Sequence, residues 1–262
     1  MSRLTTTKFA AMKEQGRKIT MLTAYDYTMA QLVDQAGVDG ILVGDSMSMV
    51  VQGRENTLPV TLDEMIYHAE MVGRAVRSAL VVVDMPFPTN FLGPYKAIEN
   101  AGRILKETGC ESVKLEGGAE QGEIIAALTS TGIPVMAHCG LRPQSIHRLG
   151  GYKVHRDGEQ VMADALAAEK AGAFSVVLEC IPADVAAAVT AELKIPTIGI
   201  GAGNACDGQI LVINDLLGIT QSKLPKHVKT YADLGRQIKD AVGRYCNDVR
   251  DGEFPTDEQT FK

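Results

Sequence analysis

Short, almost wholly apolar runs recur along the chain, each followed by a longer stretch with apolar residues at helical spacing. This rhythm limits the fold more than any other feature. The runs are ITMLTA (19–24), GILVG (40–44), LVVVD (80–84), SVKLE (112–116), PVMAH (134–138), SVVLE (175–179), PTIGIG (196–201) and QILVI (209–213). Helical candidates lie at 26–36, 61–77, 94–108, 120–131, 158–171 and 182–193. Residues 139–157 read as loop, and 231–250 as a C-terminal amphipathic helix.

The strand runs are continuous in apolar residues rather than alternating. Strands buried on both faces have this pattern, as in a parallel sheet covered by helices. Eight runs in 262 residues give about one βα unit per 33 residues, the spacing of a (βα)8 TIM barrel. A doubly wound open sheet is the alternative at this length. No Pro-, Gly- or Ser-rich linker divides the chain, so 1–262 reads as one domain with an N-terminal lead and a C-terminal helical extension. GNACDG (203–208) joins two strand runs with no room for a helix, so the last βα unit is expected to be irregular.

A net charge of -6 leaves no broad excess of Lys and Arg to neutralise phosphates, which argues against nucleic acid as the partner. No run of about 18 uncharged apolar residues is present, so no membrane span is expected. The N-terminal stretch lacks the apolar core of a secretory signal, and a cytoplasmic protein is expected. Its polar lead runs into a short amphipathic helix. The five cysteines are scattered with no C-x-x-C pair, the pattern of buried free thiols rather than a zinc site.

The chemistry gathers at the strand ends. The second run ends at Asp45–Ser46, the third at Asp84, the fourth at Lys114 and Glu116, the fifth at His138 and the sixth at Glu179. In a βα barrel these ends meet on one face, where active sites sit. A single carboxylate at a strand end ordinarily caps the next helix. Lys114 and His138, however, are poor N-caps. Lys114 and Glu116 are two apart on a strand and point the same way, into the barrel, with Val113 and Leu115 toward the helices. A buried lysine there must be paired or used. Asp45, Asp84 and Glu116 together make a hard oxygen site that suits Mg²⁺ rather than zinc. Glu179, expected against an apolar wall, suits a base that takes a proton from carbon. GIGAGN (199–204) reads as a tight turn rather than a nucleotide loop, because strand rather than helix follows it.

The stretches TAYDY (23–27), VGDS (43–46), QG with TLPVT (52–53, 57–61), DMPF (84–87), VKLEGG (113–118), GLRPQS (140–145), GGYKV (150–154), LEC-x-P (178–182) and GIGAGN-x-x-DGQILV (199–212), in this order, resemble the ketopantoate hydroxymethyltransferase family. The resemblance implies a (βα)8 barrel of the phosphoenolpyruvate/pyruvate superfamily and a homo-oligomer, commonly a decamer. The implied reaction moves a hydroxymethyl group from 5,10-methylenetetrahydrofolate to 3-methyl-2-oxobutanoate through a Mg²⁺-stabilised enolate, giving 2-dehydropantoate in pantothenate biosynthesis. One Mg²⁺ per subunit would lie near Asp45, Asp84 and Glu116. Asp45, Ser46, Asp84 and Lys114 would contact the 2-oxo acid, His138 matches a position beside it, and Glu179 would accept the proton. The chain departs from the family pattern at Ser48, Ala137 and Arg142. A C–C lyase of the same superfamily and an inactive barrel are the competing readings.

Overall fold

The computed structural model describes residues 3–262; Met1 and Ser2 of the polar lead lie outside the described residues. Eight parallel strands close into a barrel in sequence order: β1 (Ile19–Thr23), β2 (Gly40–Val43), β3 (Leu80–Asp84), β4 (Ser112–Glu116), β5 (Val135–Gly140), β6 (Ser175–Glu179), β7 (Thr197–Ile200) and β8 (Gly208–Leu211). Pairing of β1 with β8 (Met21 beside Ile210) closes it, which excludes the open doubly wound sheet. The helices are α1 (Thr6–Glu14), α2 (Tyr27–Gln35), α3 (Met47–Val50), α4 (Leu62–Ala75), α5 (Pro94–Thr108), α6 (Gly122–Ser130), α7 (Ile146–Leu149), α8 (Gly158–Lys170), α9 (Ala183–Glu192), α10 (Ile213–Leu216) and α11 (Leu234–Asp251). No helix lies between β7 and β8, as GNACDG requires.

Local chemistry sets the helix ends. Asp26 and Asp157 cap α2 and α8 through their side chains, and Thr61 with Glu64 forms a reciprocal capping box on α4. Pro94 starts α5, and Gly109 ends it in the left-handed conformation.

The interior is layered. Ile19, Met21, Leu42, Leu80, Val82, Met136, Val177, Ile198 and Ile210 fill the lower barrel in one cluster with Phe9 and Met12 of α1. Phe9 is fully buried and meets Phe174, which precedes β6, edge to face with centroids 5.8 Å apart. The N-terminal helix is therefore a plug for the N-terminal end of the barrel.

At that end the acids are structural. Asp39 accepts from Thr20 N (2.9 Å) and pairs with Arg17 (2.6 Å). Asp207 accepts from Thr197 N (2.9 Å) and pairs with Lys13 (2.8 Å). Glu111 accepts from Val81 N (3.2 Å) and pairs with Arg3 (2.7 Å). Each of these charges is answered by a cation and a strand N–H.

The barrel with its helices is one compact unit, ending at Val212, and Ile213–Lys262 form a second. In the second unit, α11 carries Ile238, Val242, Tyr245 and Val249 at 4-3-4 spacing, all exposed. Among the described residues, no helix is long and apolar enough to cross a membrane. All five cysteines are free.

Candidate active site

The opposite end of the barrel carries the polar layer. Strand alternation that places Leu80 and Val82 inward places Asp84 inward above them, and likewise His138 above Met136 and Glu179 above Val177. Asp84, Lys114, Glu116 and His138 occupy adjacent strands in register: Asp84 beside Lys114, and Glu116 beside His138. Asp45 follows β2 directly. All five are buried, while the Glu179 side chain stays 17% exposed. None of the strand-end carboxylates caps the next helix. Ser46 occupies the N-cap position of α3 but makes no capping bond; its Oγ instead meets Tyr25 OH at 2.9 Å.

One chain of contacts crosses the mouth. Lys114 Nζ lies 2.8 Å from Asp84 Oδ1 and 3.1 Å from His138 Nδ1. His138 Nε2 lies 3.1 Å from Glu179 Oε2. An ammonium only donates, so Nδ1 accepts and the imidazole proton resides on Nε2, facing Glu179. The expected apolar wall beside Glu179 is replaced by this imidazole, because His138 and Glu179 come from neighbouring strands. Lys114 is paired as its burial demands, but with Asp84 across the sheet rather than with Glu116 on its own strand. Asp84 Oδ2 also accepts from Asp45 N at 3.0 Å.

The charges do not balance: Asp45, Asp84 and Glu116 face one ammonium. Burial, and then Asp84, push the Asp45 carboxyl up to about 7, while Lys114 and Gln144 pull it down. Burial, and then Asp45, raise Glu116. Burial works against the Lys114 ammonium, but Asp84, Glu116 and Asp45 outweigh it and lift the group above the ordinary lysine value. Burial and Lys114 lower His138, which is neutral at pH 7. Unlike the paired acids at the other end, these carboxyl groups outnumber the cation beside them, and their donor oxygens fit a hard divalent cation. No group of three or more His, Cys, Asp or Glu among the described residues is gathered as a ready metal cage. Mg²⁺ commonly takes only one or two carboxylates, with water and substrate oxygens completing its shell.

Glycines shape the floor. A Cβ at Gly44 would stand 2.9 Å from Ser46 Oγ and 3.4 Å from Asp84 Oδ2. Gly140 turns the chain at φ 93, where a Cβ would lie 2.4 Å from the Glu179 carbonyl oxygen.

Three residues at the mouth escaped the sequence reading. Gln144 donates to Asp45 and Glu116, Tyr25 supports Ser46, and the Tyr152 hydroxyl lies 3.5 Å from Met49 Sδ. Each lies in a motif that carried the resemblance, the only signal the sequence held. Of the departures from the family pattern, Ser48 is buried and bonds Asn56 O at 2.7 Å, holding the loop after α3. Ala137 is buried and alternates with the inward His138, so it faces the helices. Arg142 pairs with Glu120 and Asp164.

A closed parallel barrel with such a charged C-terminal mouth defines a (βα)8-barrel enzyme. A family model described as ketopantoate hydroxymethyltransferase matches residues 3–257, and the chain belongs to that family. Relatives named 3-methyl-2-oxobutanoate hydroxymethyltransferase include one from Rhodopirellula baltica, 54% identical over 261 residues with 100% of this chain and 97% of the relative covered. One from Trichlorobacter lovleyi is 55% identical, covering 99% of this chain and 98% of the relative. Among solved structures, a phosphonopyruvate hydrolase complex with oxalate and Mg²⁺ superposes with a TM-score of 0.64 at 16% identity, covering 99% of this chain and 92% of that one. A 2,3-dimethylmalate lyase of the PEP mutase/isocitrate lyase superfamily gives 0.61 at 19% identity, covering 98% and 92%. These two share the fold; the likeness to the transferases runs through the sequence itself.

Proposed function

We propose that this enzyme transfers a hydroxymethyl group to 3-methyl-2-oxobutanoate, the carbon coming from 5,10-methylenetetrahydrofolate and the hydroxyl oxygen from water, giving 2-dehydropantoate in pantothenate biosynthesis and releasing tetrahydrofolate, with one Mg²⁺ per subunit. The observation that carries the mechanism is the excess of buried carboxyl groups around the single ammonium of Lys114, in a chain of this family. Asp45 and Asp84, with Glu116 behind them, would hold the cation. Mg²⁺, when bound, supplies Lewis-acid stabilisation of charge on the keto oxygen.

The protein's own groups do the rest. Glu179, the most exposed acid of the mouth, removes the proton from C3 of the oxo acid. The Nε2–H of neutral His138 fixes the orientation of the carboxylate that receives this proton. Lys114 stabilises the negative charge that develops as the enolate forms, in a buried site where a fixed charge acts strongly. Ser46, set by Tyr25, and the carboxylates of Asp45 and Asp84 border the oxo acid.

The free cysteines support a reducing compartment, the cytoplasm. The exposed apolar stripe on α11 supports a homo-oligomer, read as a decamer. Glu179→Gln tests the chemistry. It should lose deuterium exchange at C3 while keeping Mg²⁺-dependent binding of the oxo acid, and retained exchange would remove Glu179 as the base.

A further inference from the structure

We infer that Gln144 is the positioning residue of the cation site, the group that fixes the carboxylates of Asp45 and Glu116 relative to one another. The inference rests on the Mg²⁺ reading above. Gln144 lies just beyond β5, yet it contacts groups from three other strand ends. Its backbone N–H donates to Glu116 Oε2 at 3.0 Å. Its side-chain Nε2 donates to Asp45 Oδ2 at 2.9 Å and to Met85 O at 3.0 Å. A carboxylate and a carbonyl are both acceptors, so the atom between them must be the amide nitrogen. The residue is 6% exposed, and its Oε1 is buried without a donor among the described residues.

The short segment around it is held on both sides. Leu141 N donates to Glu179 O at 2.9 Å. Arg142 is paired with Glu120 and reaches Asp164 at 3.5 Å, and Asp164 also accepts from Ala119 N at 2.9 Å. Arg142, one of the departures from the family pattern, thus fastens the segment that presents Gln144. The physical need is plain. Asp45 and Glu116 carry like charge when ionised, and Asp45 raises the proton affinity of Glu116. Without a donor held between them the carboxylates would be free to turn apart. Mg²⁺ demands near-octahedral donors and tolerates little disorder in them. One neutral residue that donates to both acids fixes them without adding a cation that would compete for the site.

The test titrates Mn²⁺, a hard dication visible by EPR, into the metal-stripped full chain, following the signal of free Mn²⁺. Wild-type protein should show one saturable site per chain. Gln144→Met, which keeps length and burial but removes the amide, should bind Mn²⁺ about 10–100-fold more weakly. Should Gln144→Met fail to fold, Gln144→Asn serves: its backbone still reaches Glu116, but its amide falls one methylene short of Asp45, and the same weakening is expected. A merely structural role would lower the melting temperature of the metal-free protein and leave Mn²⁺ affinity of the folded protein unchanged. Affinity within about twofold of wild type in the folded variant therefore overturns this inference alone. Wild-type protein that takes up no Mn²⁺ overturns the metal reading and this inference with it.

Discussion

Lys114 is the residue on which the mouth turns, because it offsets part of the charge of Asp84 and sets the tautomer of His138. Lys114→Met leaves Asp84 without its cation in a buried place. It should destabilise the metal-free protein by about 3–5 kcal/mol in chemical denaturation and abolish turnover. For Glu179→Gln the folded protein should persist, with proton removal slowed at least about 10²-fold; C3 exchange in D₂O reads this directly. Asp45 gives a pH prediction. Its carboxyl sits near 7 in the folded protein against 3.8 unfolded, so the folded state holds a proton that the unfolded state has lost. That stabilisation is full below the unfolded value and is lost as pH rises through about 7. A cation replaces the proton, so the rise in melting temperature on adding Mg²⁺ should be larger at pH 8 than at pH 6. The polar strand ends were legible because buried runs that finish on Asp, Lys, His or Glu are hard to explain by packing. Gln144 was not, since a neutral amide beyond a strand declares nothing until the fold brings it 99 positions back along the chain to Asp45.

At the scale of elements, periodicity placed the barrel. LVVVD, SVKLE and SVVLE are the strands as observed, because short runs containing β-branched valine suit strands buried on both faces. β5 extends two residues beyond PVMAH, since Cys139 and Gly140 continue the ladder against Leu178 and Glu179. The 139–157 stretch, read as loop, contains α7, four residues with none buried and so without a periodic apolar signal. The plug is the larger lesson. The sequence marks a short amphipathic helix after the polar lead, and the open lower end of the barrel explains why its Phe9 and Met12 are buried. Phe9→Ala should cost about 3–5 kcal/mol in chemical denaturation and leave C3 exchange by the folded enzyme unchanged, because the plug lies at the end opposite Glu179.

At the scale of the whole molecule, the α11 stripe predicts self-association. Val242→Lys, in the middle of Ile238, Val242, Tyr245 and Val249, places a charge in an apolar contact and should lower the mass found by light scattering. An unchanged mass would move the contact surface elsewhere. As proposed, the mouth enolises a branched 2-oxo acid, whose carbon then takes the one-carbon unit from the folate. Proton NMR of the purified protein in D₂O with 3-methyl-2-oxobutanoate, Mg²⁺ and 5,10-methylenetetrahydrofolate tests this proposal most directly. Resonances of 2-dehydropantoate should appear with folate present, and the C3 proton signal should be lost when folate is withheld. A folded protein that leaves both the C3 proton and the oxo acid unchanged would contradict it.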